Sequence, residues 1–127
     1  MKAFSHRIVA TALAMGVCAS AFAGNKTSYE VTIVTAGAKP YATGDLGYVR
    51  NTLDSTQYIG CEATTTLGTC YAVNSAGLYK SCSTTDAALI ALIQTIKGDS
   101  NLLFSWSTTD GSCKGIRVRN DSLAAPK

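Results

Sequence analysis

Histidine is nearly absent from the 127-residue sequence, which contains only His6. There is no G-x-x-x-x-G-K-[ST] or G-x-G-x-x-G loop and no D-x-D-x-D-G segment, which excludes the common loops for nucleotide phosphates and for EF-hand calcium. No apolar run reaches the roughly 20 residues that a membrane-spanning helix needs. These absences remove several large classes of function.

The longest strongly apolar run, residues 8–17, lies near the start of the chain. Basic residues precede it and Ala21-Phe22-Ala23 follows it, which is the order of a secretory signal peptide. We therefore predict a signal peptide over 1–23, a single disulfide-stapled domain over 24–127, and a secreted or periplasmic location. A membrane anchor is disfavoured by the shortness of the run, and a lipoprotein signal at Cys18 by the preceding Val17, which is not small.

Removal of residues 1–23 changes the charge and the available side chains. Two of the eleven basic residues and none of the eight acidic ones precede residue 24, so the net charge falls from +3 to +1. This charge is too small for a generic nucleic-acid-binding surface, and no nucleic-acid partner is predicted. The histidine is also removed, which excludes Ser-His-Asp and Cys-His catalysis.

An even number of cysteines in an exported chain is typical of a disulfide framework. The spacings of 9, 12 and 31 residues lack the C-x-x-C pairs of structural zinc sites, so no metal and no other cofactor is predicted. Two disulfides are expected among the four cysteines that follow residue 23, which are Cys61, Cys70, Cys82 and Cys113.

Turn positions indicate how these cysteines pair. A hairpin centred on Thr65 and Thr66 places Cys61 directly opposite Cys70, at a separation that a disulfide can bridge. A tight turn over residues 74–77 predicts Ser81, not Cys82, as the neighbour of Cys70. We therefore favour Cys61–Cys70 and Cys82–Cys113 among the three possible connectivities. The second bridge closes about 30 residues and is expected to stabilise by roughly 3 kcal/mol.

Alternating apolar and polar residues, bounded by Gly, Ser, Thr and Asn, predict a series of short strands. Residues 37–47 contain Lys39-Pro40 and Thr43-Gly44-Asp45 and are predicted to form a loop. The predicted strands are 29–34, 46–53, 57–62, 69–73, 78–82, 102–106 and 113–120.

One helix is predicted after the fifth of these strands, because leucine and isoleucine recur at helical spacing from Leu89 to Ile96. Ser83 and Asp86 supply an N-terminal capping signal, and Lys97-Gly98 ends the run. The predicted fold class is α+β, a mainly antiparallel sheet of about six strands with one helix packed across it and two disulfides.

Catalysis by a pair of carboxylates is still compatible with the sequence, because a glycosidase needs only an acid and a base or nucleophile. Glu30 and Glu62 are predicted to face solvent. Such an enzyme requires two acids within about 5 to 10 Å of each other in a cleft. Most aspartates instead adjoin Gly or Ser at predicted turns or strand ends, where they usually bond the local backbone: Asp45, Asp54, Asp99, Asp110 and Asp121.

Six tyrosines follow residue 23, several of them near basic residues on or beside predicted strands. Exposed tyrosines anchor protein partners or stack on sugars. The structural alternative is that tyrosine is a favoured strand residue, and Tyr29 and Trp106 fall on faces predicted to be buried. The candidate binding surface consists of Tyr48, Arg50, Tyr58, Tyr79, Arg117 and Arg119.

Several short segments carry a resemblance to a known group of proteins. They are Gly47-Tyr-Val-Arg-Asn-Thr52, Gln57-Tyr-Ile-Gly-Cys61, Gly98-Asp-Ser100, Phe104-Ser-Trp106 and the final Pro126-Lys127. In these the chain resembles small secreted proteins of Gram-negative bacteria with four cysteines in the mature domain, a group generally without an assigned function. The resemblance implies export and one domain, and it carries no catalytic or binding residue.

These observations together predict a non-enzymatic exported protein that binds an envelope or extracellular partner, either a protein or a glycan. An inhibitor of a secreted enzyme is one version, which requires a firmly held exposed loop such as residues 39–45. The alternatives are a structural subunit of an extracellular assembly, joined through open sheet edges, and a small carbohydrate-active enzyme that uses paired carboxylates.

Overall fold

A computed structural model describes residues 28–121, so the predicted signal peptide lies outside the described residues. Two helices are present in this part of the chain, α1 (Leu46–Asn51) and α2 (Ala87–Ile93). None of its helices is long and apolar enough to cross a membrane. The strands are β1 (Thr32–Val34), β2 (Tyr41–Asp45), β3 (Tyr58–Ala63), β4 (Gly68–Val73), β5 (Tyr79–Thr84), β6 (Asn101–Trp106) and β7 (Cys113–Arg119).

The strands form two antiparallel sheets. One has four strands in the order β1-β2-β6-β7, and the other is the three-stranded meander β3-β4-β5. The predicted α+β class with antiparallel strands is confirmed. The prediction of one sheet of about six strands with one helix differs in detail from the structure, because the described residues form seven strands, divided between two sheets, and two helices.

The strand β2 replaces the second half of the loop predicted over residues 37–47, and it pairs with β1 on one side and β6 on the other. Gly44 misled the prediction, since glycine in a polar stretch usually marks a turn. A Cβ at Gly44 would lie 3.3 Å from Ile59 Cγ2 and 3.4 Å from Val31 Cα. The glycine therefore serves the close approach of two chain segments within a strand.

The helix α1 replaces the strand predicted over residues 46–53. Leu46 and Val49, three residues apart, both contact the core, which is the spacing of a helical face. A segment of six helical residues contains too few core positions for its period to be read from sequence.

Both sheets and both helices contribute side chains to one core. Leu102 and Phe104 are fully buried on β6 and Trp106 is 9% exposed, so the predicted alternation of this strand is confirmed. Tyr29, also predicted to be buried, is instead 45% exposed. The strand β1 begins three residues after Tyr29, at Thr32, so the strand alternation does not extend to this tyrosine.

The predicted helix after β5 is present as α2, although it ends at Ile93 and not at the predicted Lys97-Gly98. Asp86 caps it, and one of its carboxylate oxygens accepts hydrogen bonds from the amides of Ala88 and Leu89. Ser83 takes no part in the cap because it lies within β5. Ile90 and Ile93 form the buried side of the helix.

Both predicted disulfides, Cys61–Cys70 and Cys82–Cys113, are present. The predicted register between β4 and β5 is wrong by one residue, since Cys70 lies opposite Cys82 and not opposite Ser81. The turn is one residue longer than predicted, because the amide of Asn74 donates to the carbonyl of Leu78. Three cysteines of β3, β4 and β5 consequently lie in one row across the sheet.

Candidate functional site

The outer face of the three-stranded sheet carries a group of tyrosines. Side chains alternate along each strand, so the cysteines of β3, β4 and β5 point to the core and their sequence neighbours point away from it. The opposite face carries Tyr58, Tyr71, Val73 and Tyr79, and we call these four residues the tyrosine face.

Val73 lies at the centre of one row of this face. Its register partners are Tyr58 on β3 and Tyr79 on β5. Val73 is only 8% exposed, whereas Tyr58 and Tyr79 are 45% and 52% exposed. Because adjacent strands are about 4.8 Å apart, the Cα atoms of the two tyrosines are separated by about 10 Å across the valine.

Tyr71 lies in the next row, and its ring meets that of Tyr58 edge to face, with centroids 5.9 Å apart and an interplanar angle of 64°. It is half-buried, and a Cβ added to its register partner Gly60 would lie 3.6 Å from its ring. The contact between the two rings orders this part of the face. Such aromatic pairs contribute roughly 0.5 to 1.5 kcal/mol of stabilisation beyond that of their buried area.

The centre of the tyrosine face is uncharged. The residues that flank the tyrosines on this face of the sheet are Gly60, Ser81 and Thr69. The nearest acid on the same face is Glu62, one row beyond Tyr71, and it is exposed. An uncharged aromatic centre with charge displaced to the margin is the usual arrangement of a protein interface.

Arg50 reaches the margin of the tyrosine face from α1. It lines a cleft of about 280 Å³ together with Asp54, Gln57 and Tyr58. The Arg50 guanidinium is exposed and donates a long hydrogen bond of 3.4 Å to the carbonyl of Gly98. The cleft therefore adds one cation beside Tyr58.

Asp54 contributes one buried carboxylate oxygen to this cleft. Its Oδ1 accepts a hydrogen bond of 2.7 Å from the amide of Thr56, whereas Oδ2 has no hydrogen-bond partner among the described residues. A ligand group that donates a hydrogen bond would satisfy this oxygen.

The structure does not bring the six predicted surface residues together on one surface. Tyr58 and Tyr79 share the tyrosine face, and Arg50 adjoins it through the cleft. Tyr48 is half-buried on α1. The remaining two, Arg117 and Arg119, lie on β7 of the other sheet, where Arg119 forms an ion pair of 3.0 Å with Asp121.

Tyr71 and Val73 were missed by the sequence reasoning, although the signal was available. The hairpin that places Cys61 opposite Cys70 also places Gly60 opposite Tyr71 and Tyr58 opposite Val73. The register of this hairpin, applied to the face opposite the cysteines, identifies both residues.

Most of the acids lie where the sequence predicted. Glu30 and Glu62 are exposed, and Asp54 bonds its local backbone. Asp110 accepts hydrogen bonds from the amide and the hydroxyl of Ser112, and these bonds lower the pKa of its carboxyl group to about 2. This turn carboxylate is therefore ionised at any physiological pH.

Asp45 differs from the predicted turn aspartates, because it is fully buried in β2. Its carboxylate accepts hydrogen bonds from the amide of Tyr29, at 3.0 Å, and from the side-chain amide of Asn101, at 2.7 Å. These partners are 16 and 56 residues away, so the predicted role in local turn bonding is wrong for Asp45.

Four clefts formed by described residues have at most one carboxylate each in their linings. None of these four therefore holds the pair of acids that glycoside hydrolysis requires. Within residues 28–121, no group of three or more His, Cys, Asp or Glu side chains is placed to hold a metal ion.

Comparison with known proteins gave no match to a family model, to a curated protein or to a solved structure.

Proposed function

We propose that this is an exported, non-enzymatic protein that binds a partner protein on its tyrosine face. The observation that carries the proposal is the pair of exposed tyrosines, Tyr58 and Tyr79, held by register on either side of the buried Val73. Tyrosine loses little side-chain entropy on binding and combines a large apolar ring with a polar hydroxyl, so it is a frequent anchor of interfaces.

Two features favour a protein over a glycan on this face. The Tyr58 and Tyr71 rings are inclined at 64°, so these two rings do not form one flat aromatic surface on which a glycan could stack. The central positions are also uncharged, with Arg50 and Glu62 at the margin, which matches the apolar core and polar rim of protein interfaces. The partner should present an uncharged surface with small or apolar groups beside Tyr58 and Tyr79.

Export is supported by the disulfides. Cys70 and Cys82 are almost fully buried in the core, so both bridges are part of the folded structure. Structural disulfides form in oxidising compartments, which agrees with the signal-peptide pattern of residues 1–23.

The inhibitor version of the hypothesis is not retained. Residues 41–45 of the predicted exposed loop form the strand β2 between β1 and β6, and Pro40, Gly44 and Asp45 are buried. Inserting this segment into the active site of an enzyme would require the four-stranded sheet to open.

The test uses the oxidised protein as bait against envelope and culture-medium proteins of its source cells, with Tyr58→Ser/Tyr79→Ser as the interface variant. Tyr29→Ser is the matched control, since Tyr29 and Tyr58 are equally exposed at 45%. A protein captured by the wild type is identified, purified and titrated against all three forms in solution. We expect the double variant to weaken binding at least about tenfold, and the control to leave the dissociation constant unchanged.

Equal affinity of the double variant and the wild type would overturn the proposal, and so would the absence of any captured protein. Size-exclusion chromatography of the same three forms over a range of concentrations covers the alternative of self-assembly. Oligomers of the wild type that the double variant abolishes would make the partner a second copy of this chain and would also overturn the proposal.

A further inference from the structure

A second site lies at the opposite sheet, in a cleft that the tyrosine face does not use. Ala38 and Lys39, which precede β2, form one wall, and residues 105–109 with Lys114 and Gly115, from the β6–β7 hairpin, form the other. The volume is about 640 Å³, more than twice that of the cleft beside Tyr58. We call it the lysine cleft.

Both walls are held by backbone hydrogen bonds. Pro40, directly after Lys39, is buried, and its carbonyl accepts a hydrogen bond from the amide of Trp106. In the hairpin, the amide of Ser107 donates to the carbonyl of Ser112 at 2.9 Å, and the amide of Gly111 donates to the carbonyl of Ser107 at 3.0 Å. These hydrogen bonds fix the backbone beside the cleft within the fold.

The lining carries two positive charges and no carboxylate. Lys39 and Lys114 are both exposed, and neither forms an ion pair among the described residues. The nearest acid in the hairpin is Asp110, which is not part of the lining; its carboxylate is bonded to Ser112 and also interacts with Ser107 and Lys114. Two lysines that line one cleft with no carboxylate in the lining favour an anionic ligand.

The remainder of the lining is rich in hydroxyl groups. Ser105, Ser107, Thr108 and Thr109 all line the cleft beside Trp106, which is 9% exposed. In the described part of the chain, the hydroxyls of Thr108 and Thr109 form no hydrogen bond. These groups are available to donate to and accept from a ligand that itself carries hydroxyls.

The geometry points to an acidic saccharide as the ligand, bound with a carboxylate between Lys39 and Lys114 and with sugar hydroxyls against Thr108 and Thr109. A cleft of about 640 Å³ is far larger than a single inorganic anion needs and falls within the range of small-molecule sites. Because the lysine cleft and the tyrosine face lie on different sheets, this inference is independent of the proposed protein partner.

The test titrates the oxidised, isotope-labelled protein with trigalacturonate at physiological ionic strength, followed by amide chemical shifts. We expect the shifts to concentrate at residues 105–109 and at Lys114, and Lys39→Gln/Lys114→Gln to weaken binding at least about tenfold. Lys97→Gln is the matched control, because Lys97 is exposed but does not line the cleft. It should leave the affinity unchanged, as should Tyr58→Ser/Tyr79→Ser.

Two further probes separate charge from sugar recognition. The methyl ester of trigalacturonate retains the hydroxyls and lacks the charge, so it should bind at least about tenfold more weakly. Inorganic sulfate carries charge alone and should also bind more weakly than the acid. The inference is overturned if the double lysine variant binds as the wild type does, if the ester binds as tightly as the acid, or if sulfate binds equally well at the same residues.

Discussion

Gly60 and Gly68 lie in the same sheet but have different surroundings. A Cβ added to Gly60 would lie 3.6 Å from the Tyr71 ring, which is an ordinary contact. A Cβ added to Gly68 would lie 2.6 Å from Ile93 Cδ1 and 3.4 Å from Ile90 Cγ1, both on α2. The helix therefore packs on β4 at a point where no side chain intervenes.

We expect Gly68→Ala to lower the free energy of unfolding by about 1 to 3 kcal/mol, because Ile93 is only 5% exposed and must leave a packed position. Gly60→Ala is the matched control and should change it by no more than about 0.5 kcal/mol. Urea titration followed by the fluorescence of Trp106 measures both values. A Gly68→Ala protein as stable as the Gly60→Ala protein would show that α2 does not pack on β4 as described.

At the scale of elements, the row of three cysteines is the most distinctive feature of the meander. Cys61 and Cys70 are bonded across β3 and β4, and Cys82 lies in register with Cys70 on β5. All three side chains are on the core side of the sheet, so Cys70 has a cysteine neighbour on each side.

This row predicts a specific disulfide isomer. In Cys61→Ser the Cys70 thiolate lies beside Cys82, and its attack on the Cys82 sulfur forms a Cys70–Cys82 bond and releases the Cys113 thiolate. We expect peptide mapping at mildly alkaline pH to detect Cys70–Cys82 in this variant. In the control Cys70→Ser, the free Cys61 lies two strands, about 10 Å, from Cys82 and should leave Cys82–Cys113 intact. Identical maps for the two variants would contradict the register.

The predictions of strands and helices were correct where the apolar alternation extended over several residues or where a capping residue marked the start of a helix. The alternation of Leu102, Phe104 and Trp106 and the cap at Asp86 each reflect chemistry within a few residues of the chain. The prediction for the segment from β2 into α1 was wrong because the segment contains few core positions, and because Gly44 packs against residues elsewhere in the sequence.

At the scale of the whole molecule, Cys82–Cys113 is the disulfide that joins the two sheets in the described residues, since it links β5 to β7. It closes a separation of 31 residues, whereas Cys61–Cys70 closes 9 within a single hairpin. A longer closed loop removes more entropy from the unfolded chain.

We therefore expect Cys82→Ala/Cys113→Ala to lower the free energy of unfolding by about 3 to 4 kcal/mol, and Cys61→Ala/Cys70→Ala by about 2 to 3 kcal/mol. Thermal and urea denaturation of the two double variants, side by side with the oxidised wild type, measures the difference. The reverse order of stability would mean that the bridge between the sheets constrains the unfolded chain less than the local one does.

The candidate site was predictable only in part. Tyr58 and Tyr79 were identified from composition and strand position, and Tyr71 was implied by the same hairpin register that paired the cysteines. Arg117 and Arg119 were grouped with them because they lie on a predicted strand. The division into two sheets places these arginines on a different surface.

Local chain chemistry was sufficient to establish the strands with clear alternation, the capped helix α2 and the hairpin that bonds Cys61 to Cys70. Each of these depends on residues close together in sequence. Long-range packing decided the division into two sheets, the conformation of β2 and α1, and the burial of Asp45 against Asn101, 56 residues away. Such contacts exist only once distant segments meet, so no pattern in a short stretch of sequence records them.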